Sequence, residues 1–249
     1  MTVTKEEFFR DLMRSSRASA LADAEGFHSV IHALELLGQQ YSGECRDLGF
    51  YTKTIACLAA HSPLATEVPE YLPIYHNTFG ALYEELRQAR NDAIHQGAYA
   101  RSLTGHAVDI SIILEDALMP TPSSVGNLMV RDVTELQIWH PVSYVRQIML
   151  KQAFSYLPLF LSGKWTLIPE YEIGRYLRAI PPAERKKRLL EEIGTVITNG
   201  KISALSAKVV TETTSIKEVL KDIGPEPILV VDKKHTNALV GILTASDIL

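Results

Sequence analysis

The 249-residue sequence has only two cysteines and no long apolar run. The helical pattern places Cys45 and Cys57 on one predicted helix, roughly 18 Å apart, which is far beyond disulfide reach. Even the longest apolar runs are short, such as residues 55–60, whereas a membrane-spanning helix needs about 20 apolar residues. The first residues carry acids instead of a basic start and an apolar stretch, so they predict no secretory signal. We therefore expect a cytoplasmic protein without disulfides or membrane spans.

The sequence also lacks several motifs that mark common enzymes. No P-loop, GxGxxG, HExxH or GxSxG pattern occurs. His28, His32 and Glu35 share a predicted helix face at a spacing that could ligate a metal, but no third fixed ligand with an open position is visible. We therefore expect no metal site. Because 46% of the residues are hydrophobic and 22% are charged, the chain can bury a core and is not generally disordered.

Charge is divided unevenly along the chain. Residues 1–122 contain nine basic and 16 acidic side chains, whereas residues 123–249 contain 16 basic and 13 acidic ones. The change falls at residues 119–126 (MPTPSSVG), whose prolines, serines and glycine are typical of a linker. We therefore predict two domains, 1–122 and 123–249.

The first domain has the pattern of an all-α bundle. Thr4 and Glu7 predict a capping box at the start of the first helix. Three further helices are predicted over 25–40, 46–61 and 99–118, and another begins near Pro73, which lacks an N–H and suits a first turn. No segment alternates convincingly as a strand, so we expect four or five antiparallel helices.

The second domain has the pattern of an α+β repeat, in which two short strands and flanking helices occur twice. The earlier copy has a predicted helix at 143–150, strands at 156–161 and 165–168, and a helix that begins at Pro169. The later copy has a helix that Ser215 and Glu218 cap, strands at 227–231 and 239–243, and a helix that Thr244 caps.

The later copy resembles a CBS motif. Residues 241–248 (GILTASDI) resemble the G-h-h-T-x-x-D-h signature that closes such a motif, and Val209, Val210 and Thr211 match its opening. In the earlier copy, Pro169 and Glu172 stand where Thr244 and Asp247 stand in the later one. The resemblance implies a tandem CBS pair with repeats at about 129–180 and 200–249. Leu249 falls where the last CBS helix should begin, so this copy is expected to be cut short.

A CBS pair implies a regulatory module that binds an adenosyl ligand, namely AMP, ADP, ATP or S-adenosylmethionine, in the clefts between repeats. The expected ligand-binding residues are Val209, Val210, Thr244 and Asp247. Free N–H groups at the helix start and the Thr244 hydroxyl could bind phosphate, while Asp247 could accept from ribose hydroxyls. The alternative is that Thr244 is only an N-cap and Asp247 a first-turn acid. Pro169 has no hydroxyl, so the first-repeat cleft should be empty or altered.

The helical domain carries a second resemblance, to the HEPN superfamily. Residues 90–97 (RNDAIHQG) match the R-x4-6-H signature of that family, with Arg90, Asn91 and His95 as the candidate catalytic residues. Arg101 and His106 have the same spacing, but they lie within an ordinary helical run, whereas the first pair precedes a Gln-Gly break. The resemblance implies homodimers that bring two such motifs together, and metal-independent ribonuclease activity.

The ribonuclease chemistry needs few groups. His95 could exchange protons with the ribose 2'-hydroxyl or the leaving oxygen, Arg90 could hold the phosphate, and Asn91 would orient either group. In the alternative interpretation, Arg90 pairs with a nearby acid and His95 is an ordinary residue at a helix end. The net charge of −7 over residues 1–122 opposes RNA binding.

Two functional hypotheses remain open. The first is a homodimeric, adenine-nucleotide-regulated, metal-independent endoribonuclease with an RNA substrate. The second is a non-catalytic adenine-nucleotide sensor whose helical domain serves dimerisation or partner docking.

Overall fold

The computed structural model describes residues 4–23, 26–92, 100–119, 124–178 and 181–249. The chain forms two compact units, Met1–Thr121 and Pro122–Leu249. In the ranges that the structure covers, no helix combines the length and the apolar character needed to cross a membrane.

The amino-terminal unit is helical throughout its described residues. Its helices are α1 Lys5–Ala22, α2 Phe27–Ser42, α3 Leu48–Ala59, α4 Glu67–Tyr71, α5 Phe79–Asp92 and α6 Ala100–Ala117. The predicted capping box at α1 is confirmed, because the Glu7 N–H donates to Thr4 Oγ1 at 3.1 Å and the Thr4 N–H donates to Glu7 Oε2 at 2.9 Å.

The core of this unit lies between α1, α2, α3, α5 and α6. An ion pair near its surface joins the first and last of these helices: Arg17 Nε lies 2.7 Å from Glu115 Oε1, and Arg17 Nη2 lies 3.0 Å from Glu115 Oε2. The fully buried side chains are mostly aliphatic and include Met13, Leu34, Leu37, Ile55, Leu82, Leu86, Ile110 and Leu114. The bundle is therefore held mainly by apolar burial.

Two sequence predictions in this unit were wrong. The long helix after α4 begins at Phe79 and not near Pro73, because Thr78 caps it: its Oγ1 accepts from the Ala81 N–H at 3.3 Å. The two cysteines do not share a helix, since the Asp47 side chain caps α3 by accepting from the Phe50 N–H, which leaves Cys45 in the preceding loop. Both cysteines are free and exposed.

The carboxy-terminal unit is an α/β structure with two small sheets. Its helices are α7 Val142–Gln152, α8 Glu170–Arg178, α9 Pro182–Leu190, α10 Ile193–Thr198 and α11 Ile216–Val219. Its strands are β1 Tyr156–Leu161, β2 Lys164–Pro169, β3 Leu205–Ser206, β4 Val209–Thr211, β5 Ile228–Val231 and β6 Leu239–Leu243. The strands form one sheet in the order β1-β2-β3 and another in the order β4-β5-β6.

Each copy of the repeat contributes one antiparallel hairpin, as the sequence predicts. The β1–β2 turn has Ser162 and Gly163 at positive φ, of 51° and 79°, which suits a tight two-residue hairpin. The β5–β6 turn is longer, and its Asp232 carboxylate accepts from the Lys234 and His235 N–H groups, each at 2.8 Å. Ser215 is the N-cap of α11, but its side chain makes no cap hydrogen bond, so the predicted box with Glu218 does not form.

The two copies are joined by reciprocal strand pairing. Val130, at the start of the first copy, pairs with Ile242 in β6 of the second copy through hydrogen bonds of 2.8 and 2.9 Å. Strand β3, at the start of the second copy, pairs with β2 of the first copy in the register Thr166↔Ser206 and Leu167↔Leu205. Each copy therefore supplies an edge to the sheet of the other, and neither sheet is complete without both copies.

Candidate ligand-binding cleft

A cleft of about 700 Å³ lies in the carboxy-terminal unit, where the start of the first copy meets the end of the second. It is lined by Val130, Asp132, Val133, Thr134, residues 153–158, Glu170, Tyr171, Pro225, Pro227, Ile242, Thr244, Ser246 and Asp247. Its size is in the range of small-molecule sites, which is about 300–1,000 Å³.

One wall of the cleft is fixed by two backbone anchors. Val130 is hydrogen-bonded to Ile242 in β6, and the Leu136 N–H donates to the carbonyl of Pro158 in β1 at 2.8 Å. The residues between these anchors must therefore cross from the second sheet to the first. This crossing places Asp132 and Thr134 on the cleft wall.

Thr244 and Asp247, which the sequence predicts as ligand-binding residues, both line this cleft. The Thr244 N–H and Oγ1–H donate to Asp247 Oδ2 at 2.7 and 2.8 Å, closing a capping box on a 3₁₀ turn of only three residues. The Thr244 hydroxyl, which was expected to bind a phosphate, thus donates to a carboxylate of the chain itself, as does the Thr244 N–H. Asp247 is 9% exposed.

Val209 and Val210 lie elsewhere in the unit. They form part of β4, where they pair with Leu229 and Val230 of β5, and they are not among the described residues that line the cleft. Sequence reasoning placed the opening segment of the second copy beside its own closing signature. Because the pairing is reciprocal, the segment at 130–134 that opens the first copy takes that place instead.

Aromatic and proline side chains supply much of the remaining lining. Phe154, Tyr156 and Tyr171 contribute rings, which suit stacking against a planar base. Burial raises the pKa of the Tyr156 hydroxyl, and the nearby charges of Glu226, Tyr171 and Glu170 raise it further. The cleft therefore combines flat apolar surface with a negative electrostatic environment.

Glu172, which stands in the first copy where Asp247 stands in the second, makes hydrogen bonds within the protein. Glu172 is 4% exposed and accepts from Arg175 Nη2 at 2.6 Å and from the Ser203 N–H at 3.1 Å. A smaller cleft of about 330 Å³ lies near residues 205–208 and 222–228, and Glu172 is not among its described lining residues. Glu172 thus anchors the segment before β3, and the two copies are not equivalent at this position.

The HEPN-like residues are only partly described. Arg90 and Asn91 belong to the last turn of α5, while their side chains, that of Arg101 and the whole of His95 lie outside the described residues. His106 on α6 is described, and its Nδ1 lies 2.8 Å from Glu85 Oε2 on α5. The histidine of the second R-x4-H pair therefore contacts the neighbouring helix.

In the part of the chain that the structure covers, no cluster of three or more histidine, cysteine, aspartate or glutamate side chains could hold a metal ion.

Comparisons with known proteins match only part of the chain. No family model and no curated protein matches it. Solved structures that match include a hemolysin-like protein containing a CBS domain from Oenococcus oeni (15% identity, 50% of this chain and 86% of that one, TM-score 0.37). CbpB in complex with c-di-AMP also matches, with 17% identity over 51% of this chain and 81% of that one and a TM-score of 0.38. CBSX2 in complex with AMP matches with 16% identity over 51% of this chain and 93% of that one and a TM-score of 0.37.

Replacing Glu172 tests its structural role. Glu172→Ala should lower the free energy of unfolding by about 1–3 kcal/mol, because it removes the charge-assisted hydrogen bonds that a buried carboxylate makes with the Ser203 N–H and with Arg175. Urea unfolding followed by tryptophan fluorescence measures the change. Glu184→Ala, at an exposed helical acid, should stay within about 0.5 kcal/mol of wild type. Equal stability of the two variants would contradict the assignment.

Proposed function

We propose that the carboxy-terminal unit is a CBS pair that binds an adenosyl ligand in the 700 Å³ cleft, and that the chain is a ligand-responsive regulator. One observation carries the proposal: Thr244 and Asp247, from the closing signature of the second copy, line a single cleft with residues that open the first copy. Such a combination of apolar walls with a few convergent polar groups is typical of small-molecule sites.

The lining residues divide naturally between the parts of an adenosyl ligand. The adenine ring would stack on the aromatic and proline surface, which includes Tyr156 and Pro227. The ribose hydroxyls would donate to the Asp247 carboxylate. A carboxylate accepts about four hydrogen bonds, so Asp247 can receive the ribose while it still holds Thr244.

Ligand binding would act on the arrangement of the two copies. The cleft walls come from both copies, and the segment between Val130 and Leu136 spans the two sheets. A ligand that contacts both walls binds only the assembled pair, so it stabilises that arrangement relative to any in which the copies separate. Ligand binding would therefore be transmitted as a shift towards the assembled arrangement of the two copies.

Binding should be measurable on the intact chain. We expect at least one of AMP, ADP, ATP and S-adenosylmethionine to raise the melting temperature and to give a saturable heat in calorimetry. Asp247→Ala should weaken that binding about tenfold or more, because it removes the acceptor of the ribose hydroxyls.

Asp222→Ala is the matched control, since it removes an acid from the smaller cleft, and its affinity should stay within about twofold of wild type. If none of the four ligands binds, the proposed function is wrong. If Asp222→Ala weakens binding and Asp247→Ala does not, the ligand occupies the smaller cleft instead.

We further propose, as a second candidate function, a homodimeric, metal-independent ribonuclease in the amino-terminal unit. One observation favours Arg90 and His95 over the second pair of equal spacing. His106 Nδ1 on α6 lies 2.8 Å from Glu85 Oε2 on α5, so the contact between these two helices accounts for the position of this histidine. Arg90 and Asn91 occupy the end of α5, and a dimer would bring two copies of His95 to one site, one as base and one as acid.

Single substitutions test this second candidate. His95→Ala should lower RNA cleavage about a hundredfold or more, because it removes the acid–base group. His106→Ala should change cleavage much less. The assay compares the purified full-length variants on RNA with and without EDTA, and wild-type activity should survive the chelator. Wild-type protein that cleaves no RNA, or cleavage that survives His95→Ala, would leave the non-catalytic sensor.

A further inference from the structure

The cleft is lined by three acids. Asp132, Glu170 and Asp247 contribute carboxylates, and none of its described lining residues is a lysine or arginine. The residues of this unit outside the described ranges, 122–123 and 179–180, contain no basic residue in sequence. The described lining of the cleft therefore provides no lysine or arginine to neutralise a phosphate.

The arginines nearest to the cleft lie outside its described lining. Arg131, next to the lining residue Val130, lies 2.6 Å from Glu212 Oε1 through Nη1 and donates from Nη2 to the Gly126 carbonyl at 3.1 Å. Arg146 and Arg178 line a neighbouring groove of about 380 Å³, which shares Glu170 and Tyr171 with the cleft. These arginines are not among the described residues that line the cleft.

The hydrogen-bond donors in the lining are uncharged. They include the hydroxyls of Thr134, Ser155 and Ser246, whereas the Thr244 N–H and hydroxyl both donate to Asp247. Burial is the main cause of the raised pKa of Tyr156, and the charges of Glu226, Tyr171 and Glu170 add to it. A phosphate would therefore meet neutral donors and carboxylates, and a neutral donor binds an anion more weakly than a cationic one does.

We infer that the cleft selects an adenosyl ligand carrying a positive charge beside its ribose, such as a sulfonium, over phosphorylated adenine nucleotides. This inference rests on the proposed function, since it concerns the charge of the ligand in the same cleft. The physical basis is direct: the carboxylates attract a cation and repel a phosphate. Asp132 and Glu170 are exposed, so solvent and salt weaken their attraction and the expected preference is modest.

Two ligands that differ by one charge isolate the effect. S-Adenosylmethionine carries a sulfonium, whereas S-adenosylhomocysteine lacks that charge and one methyl group. Calorimetric titration of the full-length protein should give about fivefold tighter binding of S-adenosylmethionine, and AMP and ATP should bind more weakly than either. The preference should shrink as salt is raised from about 0.05 to 0.5 M.

Charge-neutralising variants identify the carboxylates responsible. In the double variant Asp132→Asn with Glu170→Gln, the preference for S-adenosylmethionine over S-adenosylhomocysteine should fall towards one, and ATP should bind more tightly than it does to wild type. Glu218→Gln removes an exposed acid outside the cleft, and it should leave the preference unchanged.

The results separate the inference from the proposed function. Tight binding of AMP or ATP with weak binding of S-adenosylmethionine would overturn the inference while the proposed function stands. A preference for the sulfonium that the double variant retains would also overturn it, because the charges would not be its cause. If no adenosyl compound binds, both fail together.

Discussion

The backbone pairing between the two copies of the repeat is the constraint on which the candidate site depends. Val130 bonds to Ile242 in one sheet, and the pair Leu205–Ser206 bonds to β2 in the other. Because each copy completes the sheet of the other, the segment from Val130 to Leu136 must cross between the sheets, and its crossing forms a wall of the cleft. A single copy would leave two sheet edges unpaired and would have no cleft.

The chemistry of the cleft follows from what this arrangement brings together. The turn at Thr244 presents the Asp247 carboxylate, which accepts hydrogen bonds from the Thr244 N–H and hydroxyl. The wall formed by residues 130–134 adds Asp132. Prolines and aromatic rings contribute further lining, so the cleft is rich in flat surface, and its described lining contains no lysine or arginine. The first-copy acid, Glu172, instead fixes the backbone at Ser203. The two halves of the repeat have therefore taken different roles, one structural and one suited to binding.

Local features of this protein could be predicted from sequence, whereas features set by distant pairing could not. The capping box at Thr4, the hairpin strands and the cap at Thr244 depend on residues within a few positions, and their signals are correspondingly clear. The start of α5 was misplaced because Pro73 gave a stronger signal than Thr78. The wall at 130–134 was missed because it joins the second copy through a strand bridge more than a hundred residues away, which no local pattern records.

Hydrogen exchange of the full-length protein, with and without saturating S-adenosylmethionine, tests the central claim most directly. The account predicts slower exchange at the backbone amides of residues 130–134 and 242–247, the two segments that the ligand would hold together, and little change in the amino-terminal helices α1 to α3. Protection confined to residues 205–208 and 222–228, or no protection in the carboxy-terminal unit at all, would contradict it.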